Sequence, residues 1–197
     1  DNGNKGCRGL EGSRRSTEVP LGVDAIMSAK SESEARSTAD SRDKVIGTLI
    51  KDHEELKKAS RRFEQLQLAG NSDEVGLLVQ RACAELTVHA KLEEELIYPE
   101  ARRVDALEDL VTEAEVEHAS AKMLIADIGE MKPSDPKWKA SFTVLCEYVK
   151  HHIKEEEQEL FPKLQKVKID WVRMAEDFRA MRLKLHKTYG LGDDPET

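Results

Sequence analysis

Cysteine is scarce in this chain: three residues, Cys7, Cys83 and Cys146, an odd number with no C-x-x-C spacing. That excludes a disulfide framework and a thiolate zinc site, and it suits a reducing compartment. Aromatic residues make up only 5%, too few for a typical β-sandwich core. No apolar run approaches the roughly 18 residues that cross a bilayer. No charged stretch followed by an apolar one opens the chain as a secretory leader would, so a soluble, cytoplasmic protein is expected. Positive charge is also short, with 31 Lys and Arg against 39 Asp and Glu and a net charge of −8. Such a field repels nucleic acid and anionic membrane, and neither is expected as a partner.

Charged side chains are abundant, at 36% of 197 residues, as on salt-bridged helical surfaces. The length allows one domain with tails. Residues 1–40 are rich in Gly, Ser, Arg and Glu and are expected to be a flexible N-terminal segment, with a short helix over 23–36 at most. From Ser41 the apolar spacing becomes helical. Four helices are expected at about 41–70, 72–102, 105–131 and 136–164, making a bundle over 41–167. A further amphipathic segment at 168–188, with Ile169, Val172, Ala175, Phe178 and Met181 on its apolar face, precedes a polar tail ending at 197.

One motif is written twice. His89-Ala90-Lys91-Leu92-Glu93-Glu94-Glu95-Leu96-Ile97-Tyr98-Pro99 and His152-Ile153-Lys154-Glu155-Glu156-Glu157-Gln158-Glu159-Leu160-Phe161-Pro162 both read His-x3-Glu-Glu-x3-(Tyr/Phe)-Pro. Each is preceded by a Cys six residues before the His and an aliphatic residue three before it. Residues four apart in a helix lie about 40° apart around the axis and roughly 6 Å along it, so each His shares a face with its Glu. His53 and His118 likewise interrupt apolar stripes, on the first and third helices. Short loops between long helices make neighbours antiparallel, and counting from each turn puts the four histidines at similar depth, roughly 26 Å from the first turn for His53 and His89.

A lone His on an apolar face is more often a hydrogen-bonded core residue than a ligand, and a run of Glu is usually a solvated face. Glu94, Glu95, Glu155, Glu157 and Glu159 are read as solvent-facing, or at most as hydrogen-bonding to the site from outside. Glu93 and Glu156 resist that reading, because a buried carboxylate without partners costs several kcal/mol. Metal cations supply the missing partners. The candidate ligands are His53, His89, Glu93, His118, His152 and Glu156, a set without thiolate that suits iron, manganese or zinc. Cys83 and Cys146 point about 120° away from the ligand face and are read as core; His151 and His186 are read as surface or supporting residues.

The pattern His53…His89-x3-Glu93…His118…His152-x3-Glu156, with its two proline endings, resembles the hemerythrin-like HHE cation-binding domains of bacteria over about residues 42–165. The resemblance implies an all-α, up-down-up-down four-helix bundle around a non-haem di-iron centre. Its two iron ions would be bridged by the glutamates and by an oxo or hydroxo group, and would bind O2 or related small ligands reversibly. Oxygen-carrying hemerythrins place a fifth His four residues after the third-helix His, where this chain has Lys122. Lys122 would then either place its ammonium near the gap or turn to solvent, and Glu115 is a weaker candidate to fill it.

Three functions are compatible with these residues. The first is a di-iron protein that binds or reduces O2, peroxide or NO. The second is an iron store, donor or sensor without turnover, which includes repair of iron-sulfur centres, since the ligand set is similar to that of di-iron proteins with that role. Those proteins carry N-terminal cysteines, and Cys7 stands alone. The third is a metal-free helical interaction domain, in which Glu93→Gln or Glu156→Gln would change nothing.

Overall fold

The computed structural model describes residues 21–69 and 72–192. Cys7, the remainder of 1–20, the expected turn at Gly70-Asn71 and the tail from 193 lie outside them. Five long helices follow one another: α1 (Leu21–Ala69), α2 (Ser72–Leu92), α4 (Glu108–Glu130), α5 (Pro136–Glu155) and α7 (Trp171–Tyr189). Two one-turn helices, α3 (Tyr98–Ala101) and α6 (Phe161–Leu164), extend α2 and α5, and a short 3₁₀ turn (Asp105–Leu107) leads into α4. Among the described residues there is no strand, and no helix is long and apolar enough to cross a membrane.

The chain divides into two units, 1–36 and 37–197, and the architecture below is that of the second. The helix expected to begin near Ser41 begins at Leu21. The short helix expected over 23–36 is thus part of a longer one that runs through 21–40. Residues 23–46 contain neither Gly nor Pro, so no strong breaker interrupts the helix although residues 30–37 are exposed.

Caps fix the later helices. The Asp135 side chain accepts from the Lys137 backbone N–H at 2.8 Å with Pro136 at the first helical position, and Asp170 accepts from the N–H of Arg173 at 3.1 Å. Gly190, at φ 67°, ends α7 in the left-handed conformation that glycine adopts without a Cβ clash.

Two apolar clusters fill the unit. One gathers Val45 and Leu49 of α1, Val88 and Leu92 of α2, Val111 of α4, Leu160, Phe161, and Trp171 and Phe178 of α7. The other gathers Phe63, Val75, Val79, Ala121, Ile128, Phe142 and Leu145. Along α1 and α4 the chain passes from the first cluster to the second; along α2, and along α5 with its extension through α6, it passes back. The four helices thus cross the boundary between the clusters in alternating sense, and His53, His89, His118 and His152 sit at that boundary.

On α7 the buried residues are Trp171, Met174, Phe178, Arg182, Leu185 and His186, whereas Val172, expected on the buried face, is 39% exposed. Ile169 and Phe178 of the expected face are buried, and Ala175 and Met181 pack against the first cluster, but that face also contains a charge, Arg182. His186, expected at the surface or beside the site, is buried.

Candidate metal centre

Both copies of the motif break the α-helix at the same place. Glu93–Ile97 and Glu156–Leu160 are π-helical turns, each starting at the candidate ligand Glu and ending just before the aromatic residue. The prolines are the cause. Pro99 and Pro162 have no N–H to give the carbonyl four residues back, and their rings crowd it. The helix widens instead, so that the Tyr98 N–H bonds to the Glu93 carbonyl and the Phe161 N–H to that of Glu156, five residues back. The wider turn brings each aromatic residue back towards the face of its glutamate. Tyr98 stacks on His118 with ring centroids 5.5 Å apart, and Phe161 stacks on His53 at 5.7 Å.

All six residues singled out in the sequence meet in one layer, and none is more than 4% exposed. The Nε2 atoms pair, His53 with His89 at 3.1 Å and His118 with His152 at 3.0 Å. Each carboxylate then spans both pairs. Glu93 Oε2 lies 3.2 Å from His89 Nε2 and 3.5 Å from His118 Nε2, and Glu156 Oε2 lies 3.3 Å from both His53 and His152. His53, His89, Glu93 and Glu156 form one group whose ligand atoms lie within 4.8 Å of one another, and Glu93, His118 and His152 form a second.

These atoms fit metal ions. Two donors on one ion, with bonds near 2.1 Å and angles between square and tetrahedral, stand roughly 3.0–3.4 Å apart. The observed separations fall at or near that range. Both oxygens of Glu93 and Oε2 of Glu156 are buried without a hydrogen-bond partner, which a folded protein avoids unless another ligand completes them.

A second ring of acids surrounds the first. His53 Nδ1 is 2.9 Å from Glu157, His118 Nδ1 2.9 Å from Glu94, and His152 Nδ1 2.8 Å from Glu117. His89 Nδ1 faces Asp52 at 3.5 Å, an ion-pair distance rather than a hydrogen bond. A carboxylate only accepts, so Nδ1 carries the hydrogen and Nε2 is the nitrogen left to turn a lone pair inward when it gives up its own proton to a metal. Glu94 and Glu157, left open between solvent and a supporting role, take the supporting role. Asp52 and Glu117 were missed, although the sequence carried a signal: an acid directly precedes His53 and His118, so the repeat extends to the first and third helices.

Lys122 neither enters the site nor faces only water. Its ammonium pairs with Glu94, 2.6 Å from Oε1, on the outer side of His118. Glu115 does not approach the metal positions; it is exposed and bound to Arg102 at 2.6 Å. Cys83 is buried and Cys146 half-buried, both packed in the second apolar cluster, and burial pushes the Cys83 thiol up to about 12. His151 is a surface residue, 3.2 Å from Glu155.

The electrostatics follow from burying acids against imidazoles. Burial alone would push the His89 imidazolium down, but the Glu93 carboxylate and then Asp52 outweigh it and raise it to about 10. Burial likewise opposes charge on His152, which Glu156 and Glu117 hold well above its ordinary value. Glu156 is held well below the carboxylate range, against burial, by His152 and His53. Asp52, also against burial, is held at about 2 by His89 and Arg182.

One difference breaks the two-fold repeat. Tyr98 donates its hydroxyl to Glu156 Oε1 at 2.9 Å, and its oxygen lies 3.4 Å from His118 Nε2, whereas the matching residue, Phe161, has no hydroxyl. Tyr98→Phe removes a buried bond to a charged acceptor and is expected to destabilise the metal-free protein by about 1.5–3 kcal/mol in urea denaturation. An unchanged midpoint would mean that this bond contributes no net stability.

Comparison with known proteins agrees with this geometry. The hemerythrin HHE cation-binding domain model matches residues 44–164. A curated relative, a DNA nickase of Nostoc sp. (strain PCC 7120 / SAG 25.82 / UTEX 2576), is 27% identical over 130 residues, covering 65% of this chain and 37% of that protein. The chain thus spans little more than a third of that relative's length. No solved structure gives a significant match. With all six donors in one buried layer and the family model spanning the bundle that carries them, the chain belongs to the hemerythrin HHE cation-binding domain family.

Proposed function

We propose that this protein is a cytoplasmic, non-haem di-iron protein that binds O2, peroxide or NO, and that reduction of such a ligand is within its chemistry. The observation that carries this reading is the pairing of the Nε2 atoms at 3.1 and 3.0 Å, with each carboxylate placed across both pairs. Bridging carboxylates between facing helices are a di-iron or di-manganese arrangement. Iron, when bound, supplies the redox chemistry and the open coordination position for a small ligand.

The chain's own residues do the rest. Phe161 and Tyr98 cover His53 and His118, and the apolar clusters on either side keep bulk water out of the layer. The Tyr98 hydroxyl holds a proton within hydrogen-bond reach of Glu156, at the half of the site containing His118. The outer acids fix the tautomers of His53, His118 and His152. The net charge of −8 supports small ligands rather than nucleic acid as partners, so the DNA chemistry named for the Nostoc relative is not carried over.

The test is anaerobic loading with Fe(II), metal analysis, then titration with O2, NO and peroxide followed by visible absorption. About two iron ions per chain and a ligand-dependent spectrum are expected. Iron bound without any spectral response would favour a store, donor or sensor instead, and no retained metal would sink both.

A further inference from the structure

The four outer acids each have a basic side chain behind them. Glu157 is backed by Lys57 at 3.1 Å, Glu94 by Lys122, and Glu117 by His151 at 3.7 Å, all from within the family-matched residues and all at least partly open to solvent. Asp52 differs. Its partner is Arg182 of α7, beyond the matched segment and only 7% exposed. The guanidinium grips both carboxylate oxygens, with Nη1 donating to Oδ2 at 2.6 Å and Nη2 to Oδ1 at 2.9 Å.

We infer that Arg182 is a positioning residue for the metal position built on His53 and His89, so that α7 is a working part of that position rather than an appendage of the bundle. His89 is the imidazole held least tightly from outside, at 3.5 Å, and the oxygen it faces is the same Oδ2 that Arg182 holds. Asp52 also lines a cleft of about 510 Å³, where Lys58 and Arg81 are already paired with Glu55 and Glu85. Without the bidentate grip the carboxylate has room to turn towards the cleft, and His89 loses its outer anchor. The His118–His152 pair has its own acids, Glu94 and Glu117, and does not touch this chain of contacts.

This rests on the reading that the layer holds two metal positions, and the experiment separates the two claims. The full chain, its Arg182→Met, Arg182→Lys and Asp52→Asn variants are titrated anaerobically with Co(II), followed by visible absorption, with thermal midpoints measured in parallel. The unaltered chain binds about two equivalents. In Arg182→Met one position is expected to weaken roughly 10- to 100-fold, as loss of a group supporting a ligand does, while the other stays within about twofold. Asp52→Asn should give the same split. Arg182→Lys should fall between, because an ammonium cannot make both contacts at once. Equal weakening of both positions, tracking a lower thermal midpoint, would make Arg182 merely structural and overturn the inference, as would two unaffected positions. Fewer than two equivalents in the unaltered chain would instead overturn the two-metal reading beneath it.

Discussion

Glu156→Ala is expected to lose both metal ions together, whereas His53→Ala loses the one at its own position. Glu156 Oε2 lies 3.3 Å from the Nε2 of His53 and from that of His152, so this one side chain belongs to both pairs. Loss of groups that only support a ligand already weakens metal sites 10- to 100-fold; loss of a shared ligand should exceed roughly 100-fold at each position. The metal-free protein suffers as well. The imidazolium of His152 loses its buried counter-charge, and the Tyr98 hydroxyl loses the oxygen it donates to. Breaking a buried charge pair costs about 3–5 kcal/mol, which in a chain of this size lowers the midpoint by roughly 6–20 °C. Metal content after exhaustive dialysis and scanning calorimetry read the two effects. A Glu156→Ala protein that keeps one ion as tightly as the unaltered chain would show that this carboxylate serves a single position.

The chain discloses its site unevenly. The six inward-facing donors were legible because each is a polar residue at helical spacing within an apolar stripe, and because the His-x3-Glu pair occurs twice. The π turns were not. Pro99 and Pro162 read as points where a helix bends or stops, and only the observed hydrogen bonds, Tyr98 N–H to Glu93 and Phe161 N–H to Glu156, show that the helix continues by widening. The supporting acids were half legible. Glu94 and Glu157 look like members of a solvated glutamate run, since their role depends on helices far away in the sequence. Arg182 was invisible for a different reason: a charge on an amphipathic helix is assigned to water unless its counter-ion is known, and Asp52 lies 130 residues earlier.

Metal affinity should rise with pH, and the stability gap between metal-loaded and metal-free protein should widen with it. In the metal-free chain His89 is raised to about 10 and His152 well above its usual value, so at neutral pH each carries a proton on the nitrogen that a metal requires. Binding at either position expels that proton. The proton is present in the metal-free state and absent from the loaded one, so lowering the pH opposes binding, by about tenfold per pH unit for each proton displaced. Between pH 8 and pH 6 the dissociation constant at each position should therefore rise roughly 100-fold. The metal-free fold moves the other way. A histidine whose folded pKa is raised contributes stability that is complete below its unfolded value near 6.5 and is lost as pH climbs through about 10. Alkaline conditions thus weaken the metal-free protein while strengthening metal binding. With free metal at about 1,000 times the dissociation constant, each occupied position adds roughly 4 kcal/mol, or about 8–16 °C at 2–4 °C per kcal/mol. Calorimetry at pH 6, 7, 8 and 9, with metal and with chelator, measures both trends. A gap that stays constant or narrows as pH rises would mean that the inward nitrogens hold no protons for the metal to displace.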